Sequence, residues 1–166
     1  MPTDIKNLDH DVSLAAALGN MVVAWAYTEA ILAGTLARIC GIDINMATLG
    51  YYRIPTFEAR VKCLLAFMLE WNPKKYDKDA IAKEINAISG QSGARNDWVH
   101  GLWCYDKPTN ETIIFDFRRH EDKRSKPVKA ADVQNHIKAL LGHAEQLATL
   151  IEYWLITDPS RQQPSR

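Results

Sequence analysis

A long apolar repeat near the start of the chain restricts the fold more than any other feature. Within residues 9–40 the apolar side chains recur at alternating steps of four and three residues, with one interruption between Trp25 and Leu32, which is the spacing of one packed helix: Leu18, Val22, Trp25, Leu32, Leu36 and Ile39. Asp9, Asp11 or Ser13 is expected to cap its start, and Gly41 to end it in a left-handed conformation. Such a helix would be roughly 45 Å long. A small domain does not need that length for itself, so we expect a homodimer.

A second helix is expected from Thr56, its N-cap, to about Trp71. Its apolar side chains again recur at helical spacing. Residues 42–55, which precede it, are predicted to be an ordered connection between helices.

A third helix is expected from Asp77, its cap, to Gly101. Gly90 and Gly93 weaken the helical pattern shortly before its end. A break at residues 89–92 is therefore an alternative to the continuous helix that we predict.

The last third of the chain combines strand and helix signals. Residues 103–105 and 112–117 are rich in β-branched and aromatic side chains and flank turn residues, which predicts a two-stranded hairpin. A last long helix is expected at residues 130–156. The predicted fold class is all-α: a bundle of four to five helices with a small β-hairpin inserted after the third helix. It forms a single domain at residues 1–158, followed by a flexible C-terminal tail at residues 159–166.

The charge balance counts against a protein that coats nucleic acid without specificity. The 166 residues include 20 basic and 20 acidic ones, so no overall positive field attracts RNA and any contact must come from a local patch. The one strongly basic block is at residues 118–129. It is either a solvated loop or a segment that contacts phosphate, and its candidate RNA-contacting residues are Arg118, Arg119, Lys123 and Arg124.

The cysteines and the chain start indicate a cytoplasmic protein that does not bind a membrane. Cys40, Cys63 and Cys104 are far apart in sequence, which is typical of reduced, mostly buried thiols. No basic region precedes an apolar run at the start, and no stretch approaches the roughly 20 apolar residues of a membrane span.

The sequence predicts neither a metal site nor a cofactor. The five histidines form no close pair of ligands, and His136 and His143 are two turns apart on the last helix, where we expect both at the surface. Glycine loops for phosphate, nucleophile elbows and catalytic cysteine signatures are also missing from the sequence.

The segment around Arg95 carries the remaining candidate chemistry. At about 100° per residue, Arg95 lies on the apolar stripe of the third helix, while Asn96 and His100 lie beside it, one turn apart. A histidine can take a proton from a ribose 2′-hydroxyl or give one to a leaving 5′-oxygen. An arginine fork can bind the charged phosphate, and Asn96 can orient the imidazole or a phosphate oxygen. The alternative is that Arg95 pairs with Glu29 and His100 caps the last carbonyls of the helix.

Glu29 interrupts the apolar seam of the first helix, so its carboxylate needs a partner. One interpretation is a structural salt bridge to Arg60 or Arg38. The other is a supporting role in which Glu29 orients Arg95.

The run Arg95-Asn96-Asp97-Trp98-Val99-His100, between long amphipathic helices, resembles the motif of the HEPN superfamily: Arg, a polar residue, three residues and His. The resemblance implies a helical bundle that dimerises, brings two motifs to a shared cleft and cuts RNA without metal. Catalytic roles carry over to Arg95, Asn96 and His100 only. Members paired with a nucleotidyltransferase carry Tyr two residues after the His, where this chain has Leu102.

The resulting hypothesis is a homodimeric, metal-independent endoribonuclease of HEPN type that leaves 2′,3′-cyclic phosphate ends. The resemblance further implies a toxin or defence role, with an antitoxin or another protein as partner. The alternative function is a non-catalytic HEPN-like module that binds a nucleotide, RNA or a protein.

Overall fold

The computed structural model describes residues 3–4, 8–72, 74–106, 109–115 and 127–152. Most of these residues are helical. In this part of the chain the helices are α1 (Val12–Cys40), α2 (Ile44–Arg53), α3 (Phe57–Glu70), α4 (Lys78–Gly90), α5 (Ser92–His100) and α6 (Ala130–Leu150). The strands are β1 (Thr3–Asp4), β2 (Leu102–Asp106) and β3 (Glu111–Phe115). The predicted class, helical with a small hairpin, is confirmed at this level.

The hairpin joins β2 and β3 in an antiparallel register that pairs Leu102 with Phe115 and Asp106 with Glu111. Residues 116–117 of the predicted second strand lie outside the described residues. β1 adds a third strand beside β2, with Thr3 opposite Tyr105. Two residues are too few to show a strand period in the sequence, so β1 was not predicted.

Local capping sets the ends of α1 as the sequence predicts. Oδ1 of Asp11 accepts a hydrogen bond from the Leu14 amide at 2.9 Å. Gly41 has a φ of +63°, and the Ile42 amide donates to the Ala37 carbonyl at 3.1 Å, which is the six-residue closure of a left-handed helix end.

The predicted caps of the next two long helices are also confirmed. The Thr56 hydroxyl accepts from the Ala59 amide at 3.2 Å at the start of α3, which ends before Trp71. The Asp77 carboxylate accepts from the Ala80 amide at 3.0 Å and precedes α4.

Residues 42–55, predicted to be an ordered connection, contain the helix α2, which was not predicted. The Asp43 side chain accepts from the amides of Asn45 and Met46 and so caps α2. Ala47 and Tyr51 are buried one turn apart, and they hold this short helix against the protein. Met46 and Leu49 are exposed, which obscures the apolar pattern in the sequence.

The continuous third helix that we predicted is wrong, since the chain is interrupted at Gln91 between α4 and α5. The interruption falls inside the alternative range, residues 89–92. Gly90 supplies no side chain to support the helix at that point. Ile81, Ile85 and Ile88 of α4 are fully buried, whereas Val99 of α5 is 41% exposed, so the apolar seam does not continue through the break.

The helix α6 ends at Leu150, six residues before the predicted end. Glu152 adopts a left-handed φ of 53°, and Arg38 donates to the carbonyls of Ile151 and Glu152 at 3.1 and 3.3 Å. Because Arg38 donates hydrogen bonds to these carbonyls, a residue distant in sequence stabilises the turn after α6. The predicted tail at residues 159–166 lies outside the described part.

The chain divides into two compact units. The first unit comprises Met1–Trp25 and Gly90–Leu141, and the second comprises Ala26–Ser89 and Gly142–Arg166. In the first, Leu14, Ala17, Met21 and Val133 form a buried cluster. In the second, the buried apolar side chains come from the later part of α1, from α2, α3 and α4, and from the end of α6. The single domain at residues 1–158 stays a prediction.

Two sequence expectations about exposure are corrected in α1. Val22, expected on the packed seam, is 56% exposed, and Cys40, expected to be buried, is exposed at the last turn. Cys63 is half-buried and Cys104 is buried. The other predicted seam residues Trp25, Leu32, Leu36 and Ile39 are buried as expected, so the prediction fails only at the start of α1, where Leu14 and Met21 are buried instead of Val22.

The helix α1 is also long and apolar enough to cross a membrane, although the sequence led us to expect no such stretch. Its most apolar 18-residue segment has a mean hydropathy of 1.3, and 39% of that segment is buried inside the protein. Core helices of soluble proteins meet the same criterion, so this is weak evidence for a membrane span.

Candidate active site

The predicted site lies on α5, a nine-residue helix of the first unit. The helix ends at Gly101, whose amide donates to the Asp97 carbonyl at 2.8 Å. Gly101 has an extended backbone, with φ −72° and ψ 153°, so a left-handed turn does not explain the glycine. A β-carbon at this position would overlap the Ile114 side chain of β3 and the Asp97 carbonyl. Gly101 therefore serves close packing between the helix end and the hairpin.

Arg95 is half-buried and held by two neighbours. Its guanidinium carbon lies 5.4 Å from the centre of the Trp25 ring, within the range of a cation–π contact. Nη1 of Arg95 donates to Oδ1 of Asn96 at 3.0 Å. Neither the aromatic ring nor the amide carries a negative charge, so these two contacts do not neutralise the guanidinium. Its positive charge can still attract an anion.

Asn96 and His100 are both exposed and are four residues apart, so they share one face of α5. His100 is the last residue of the helix. The three predicted residues thus come together on one helix, with Asn96 in contact with Arg95 and on the same face as His100. In chemical terms, this face presents a titratable imidazole, a fixed cation and an amide to solvent.

Glu29 forms an ion pair with Arg60, one of the two structural partners that the sequence suggests. Oε1 of Glu29 and Nη1 of Arg60 are 2.5 Å apart, and both side chains are 15% exposed. Arg60 also donates to the Ile54 carbonyl at 2.9 Å and lies over the rings of Tyr51 and Tyr52. Burial is the main cause that raises the pKa of both tyrosines, and the negative charge of Glu29 raises it further. A supporting role of Glu29 toward Arg95 stays a prediction.

The predicted RNA-contacting residues Arg118, Arg119, Lys123 and Arg124 lie outside the described residues. Of the basic block, the structure describes Pro127, Val128 and Lys129. The Lys129 amide donates to Oδ2 of Asp132 at 3.0 Å, which caps the start of α6.

Both histidines of α6 differ from the expected surface position. His143 is half-buried, with Nδ1 2.7 Å from Oε2 of the buried Glu84. His136 packs against the edge of Trp98, with 4.9 Å between ring centres. Burial lowers the pKa of His136, and within the described part of the chain its Nε2 has no hydrogen-bond partner. These contacts join residues distant in sequence, which helical spacing could not reveal.

Trp25, Trp98 and Trp103 are the site residues that the sequence did not identify. Trp25 contacts Arg95, and the Trp103 indole N–H donates to the Trp98 carbonyl at 3.0 Å. Trp98 and Trp103 also pack against the buried cluster of the first unit. The concentration of tryptophan within and beside the motif was the one signal available in the sequence.

A cleft of about 510 Å³ lies in the same unit, but none of the motif residues lines it. His10 lies in its wall, where Nε2 is 3.1 Å from the Thr112 hydroxyl and the ring packs edge-on against Tyr105. We place the candidate chemistry at the α5 face, because in the cleft wall the His10 imidazole is in a hydrogen bond with the Thr112 hydroxyl. Groups of three or more His, Cys, Asp or Glu residues that could hold a metal ion do not occur among the residues described.

Comparisons of the chain with family models, with curated proteins and with solved structures gave no match. The α5 face itself combines an exposed histidine and an exposed amide with an arginine that contacts an aromatic ring.

Proposed function

We propose that the protein is a HEPN-type endoribonuclease that acts as a homodimer without a metal ion. The observation that carries the proposal is the α5 face, where Asn96 and His100 are exposed on one side of the helix and Arg95 is fixed by Asn96 and Trp25. The helical class, the short motif helix and the following long helix α6 are in keeping with a HEPN bundle.

In the proposed reaction, a neutral His100 imidazole takes the proton of a ribose 2′-hydroxyl. The oxygen attacks the adjacent phosphorus, and the bond to the 5′-oxygen breaks. A protonated imidazole gives its proton to that oxygen, so the products are a 2′,3′-cyclic phosphate and a 5′-hydroxyl. Arg95 stabilises the charge that builds up on the phosphate oxygens, and Asn96 orients the imidazole or one of those oxygens.

The homodimer supplies the two imidazoles that this reaction uses, one as base and one as acid. Support for a dimer surface comes from apolar side chains exposed on the unit that carries the motif. Val22 and Val23 of α1 are 56% and 70% exposed, and Val99 precedes His100 directly. Removing such side chains from water favours association.

The resemblance extends the proposal to a cytoplasmic toxin or defence role in which a protein partner such as an antitoxin restrains the enzyme.

Cleavage of a mixed-sequence RNA by single variants tests the function. We expect His100→Ala and Arg95→Ala to lose activity by about a hundredfold or more, because each removes a group that acts on the transition state. His10→Ala, which removes another exposed histidine of the same unit, is the control and should cleave like the wild type. Cleavage by His100→Ala at the wild-type rate would refute the proposal.

Binding without turnover would favour the alternative, a non-catalytic module. The overall neutral charge is the observation on its side, since a neutral surface does not by itself draw in long RNA. In that case RNA or nucleotide affinity would survive His100→Gln and no product would form.

A further inference from the structure

The C-terminal end of α5 is completed by residues of the hairpin. The last four carbonyls of a helix have no partner within it. At the end of α5 the Asp97 carbonyl accepts from the Gly101 amide, and the Trp98 carbonyl accepts from the Trp103 indole at 3.0 Å. One of the two bonds therefore comes from a β2 side chain.

Close packing fixes the same helix end to the other strand. The backbone at Gly101 leaves no space for a β-carbon, because the Ile114 side chain of β3 occupies it. Gly101 directly follows His100. A shift of the hairpin would therefore be passed on to the residue that carries the imidazole.

The two tryptophans are themselves anchored. Trp98 and Trp103 are half-buried against the cluster formed by Leu14, Ala17, Met21 and Val133. The edge contact between Trp98 and His136 adds a further hold from α6. Packed aromatic rings of this kind have few alternative positions.

We propose that the hairpin acts as a positioning element for His100, and that Trp103, through its hydrogen bond to the Trp98 carbonyl, is a positioning residue of the proposed ribonuclease. This inference rests on the proposed function and gives the hairpin a role in it. Trp103 does not touch the reacting atoms; it sets the angle at which α5 presents His100.

The test uses Trp103→Phe, which keeps an aromatic ring and removes the indole N–H. Thr56→Ala is the matched control, because it removes one hydrogen bond at the start of α3 in the other unit. Ile114→Ala removes most of the side chain that packs against Gly101, and it is used if Trp103→Phe does not fold. All measurements are made on the full chain at a temperature where each variant is folded.

Two readouts are compared. Amide hydrogen exchange at Gly101 should be about tenfold faster in Trp103→Phe and unchanged in Thr56→Ala, because only the first change frees the end of α5. In RNA cleavage, kcat should fall about tenfold with KM unchanged, since misplacing a catalytic group affects the transition state more than substrate binding.

Unchanged exchange in Trp103→Phe, or faster exchange with kcat and KM both at wild-type values, would overturn the inference. If the wild type does not cleave RNA, the proposed function fails. Gly101 exchange and the NMR linewidth of the His100 ring then still report on the positioning contact, which stands if both change in Trp103→Phe and falls if either stays as in the wild type.

Discussion

At the scale of single residues, Glu29 and Arg60 form a largely buried ion pair in the second unit. Both side chains are 15% exposed, and Arg60 also satisfies the Ile54 carbonyl. Replacing Glu29 with glutamine leaves the arginine charge poorly solvated and without its counterion. We expect Glu29→Gln to lower the free energy of unfolding by about 2 kcal/mol, measured by urea denaturation.

The same variant separates the two roles suggested for Glu29. If the role is structural, RNA cleavage at a temperature where the variant is folded should equal that of the wild type. A fall in kcat without a loss of stability would instead support a contribution of Glu29 to the site. A variant as stable as the wild type would contradict the value we assign to the ion pair.

His136 makes stability depend on pH. Burial lowers its pKa from the ordinary 6.5, so between the lowered value and 6.5 the folded protein binds fewer protons than the unfolded chain. The stability contributed by the neutral imidazole is therefore lost as pH falls through 6.5 toward the folded pKa.

We expect Tm to fall between about pH 7.5 and pH 5.5, and His136→Gln to reduce that fall. Gln134→Ala, at an exposed position of the same helix that carries no titratable group, serves as the control and should leave the pH dependence as it is. Parallel Tm curves for the wild type and His136→Gln would show that His136 does not contribute.

The sequence predicted the motif residues but not their surroundings. Arg95, Asn96 and His100 could be placed on one side of a helix because helical spacing is local. The contact of Arg95 with Trp25 joins positions seventy residues apart, which spacing cannot reveal. For the same reason Arg38 could not be assigned to the end of α6 rather than to Glu29.

At the scale of elements, the glycine inside α1 and the glycine that follows α5 differ in the space around them. Gly19 lies inside α1 and a β-carbon there would meet no atom within 4 Å, which contradicts the usual explanation of a close helix approach. Gly101 ends α5, where the same carbon would overlap Ile114 and the Asp97 carbonyl.

One added methyl group should therefore have opposite effects at the two positions. Gly19→Ala should raise the free energy of unfolding by about 0.5–1 kcal/mol, because alanine favours the helix. Gly101→Ala should lower it by about 1–3 kcal/mol through overpacking. Urea denaturation measures both, and a stabilised Gly101→Ala would show that the contact with Ile114 is loose.

Helix ends set by neighbouring residues were predictable, and those set by distant contacts were not. Asp11, Thr56 and Asp77 cap helices through amides three residues later. The start of α2 has the same signal in Asp43, but exposed Met46 and Leu49 hid its packed face. The break at Gln91 was visible only as an alternative, because glycine permits an interruption without requiring it.

At the scale of the whole molecule, the two compact units were not foreseen. The sequence shows α1 as one continuous repeat, and the boundary between the units falls within it, after Trp25. Length and composition predict one domain, but they contain no information on how the contacts between residues group into compact units. The motif belongs wholly to the first unit.

Association into a homodimer is the prediction that belongs to this scale. Val23 is 70% exposed on α1, and an aspartate there would have to be desolvated in a dimer. We expect Val23→Asp to be monomeric at micromolar concentration in analytical ultracentrifugation and to lose cleavage by at least about tenfold.

Leu69→Asp provides the comparison, because Leu69 is 76% exposed on α3 in the other unit. It should remain dimeric and active. A monomeric wild type that cleaves RNA would rule out both the shared cleft and the pairing of two His100 imidazoles as base and acid.

The chemical ends of the RNA products test the central claim most directly. Wild-type protein, incubated with RNA in the presence of a metal chelator, should produce 2′,3′-cyclic phosphate and 5′-hydroxyl ends, because the 2′-oxygen is the nucleophile that His100 activates. His100→Ala should produce neither. Products with 3′-hydroxyl and 5′-phosphate ends, or the same products from His100→Ala, would contradict the assignment of the α5 face as the cleavage site.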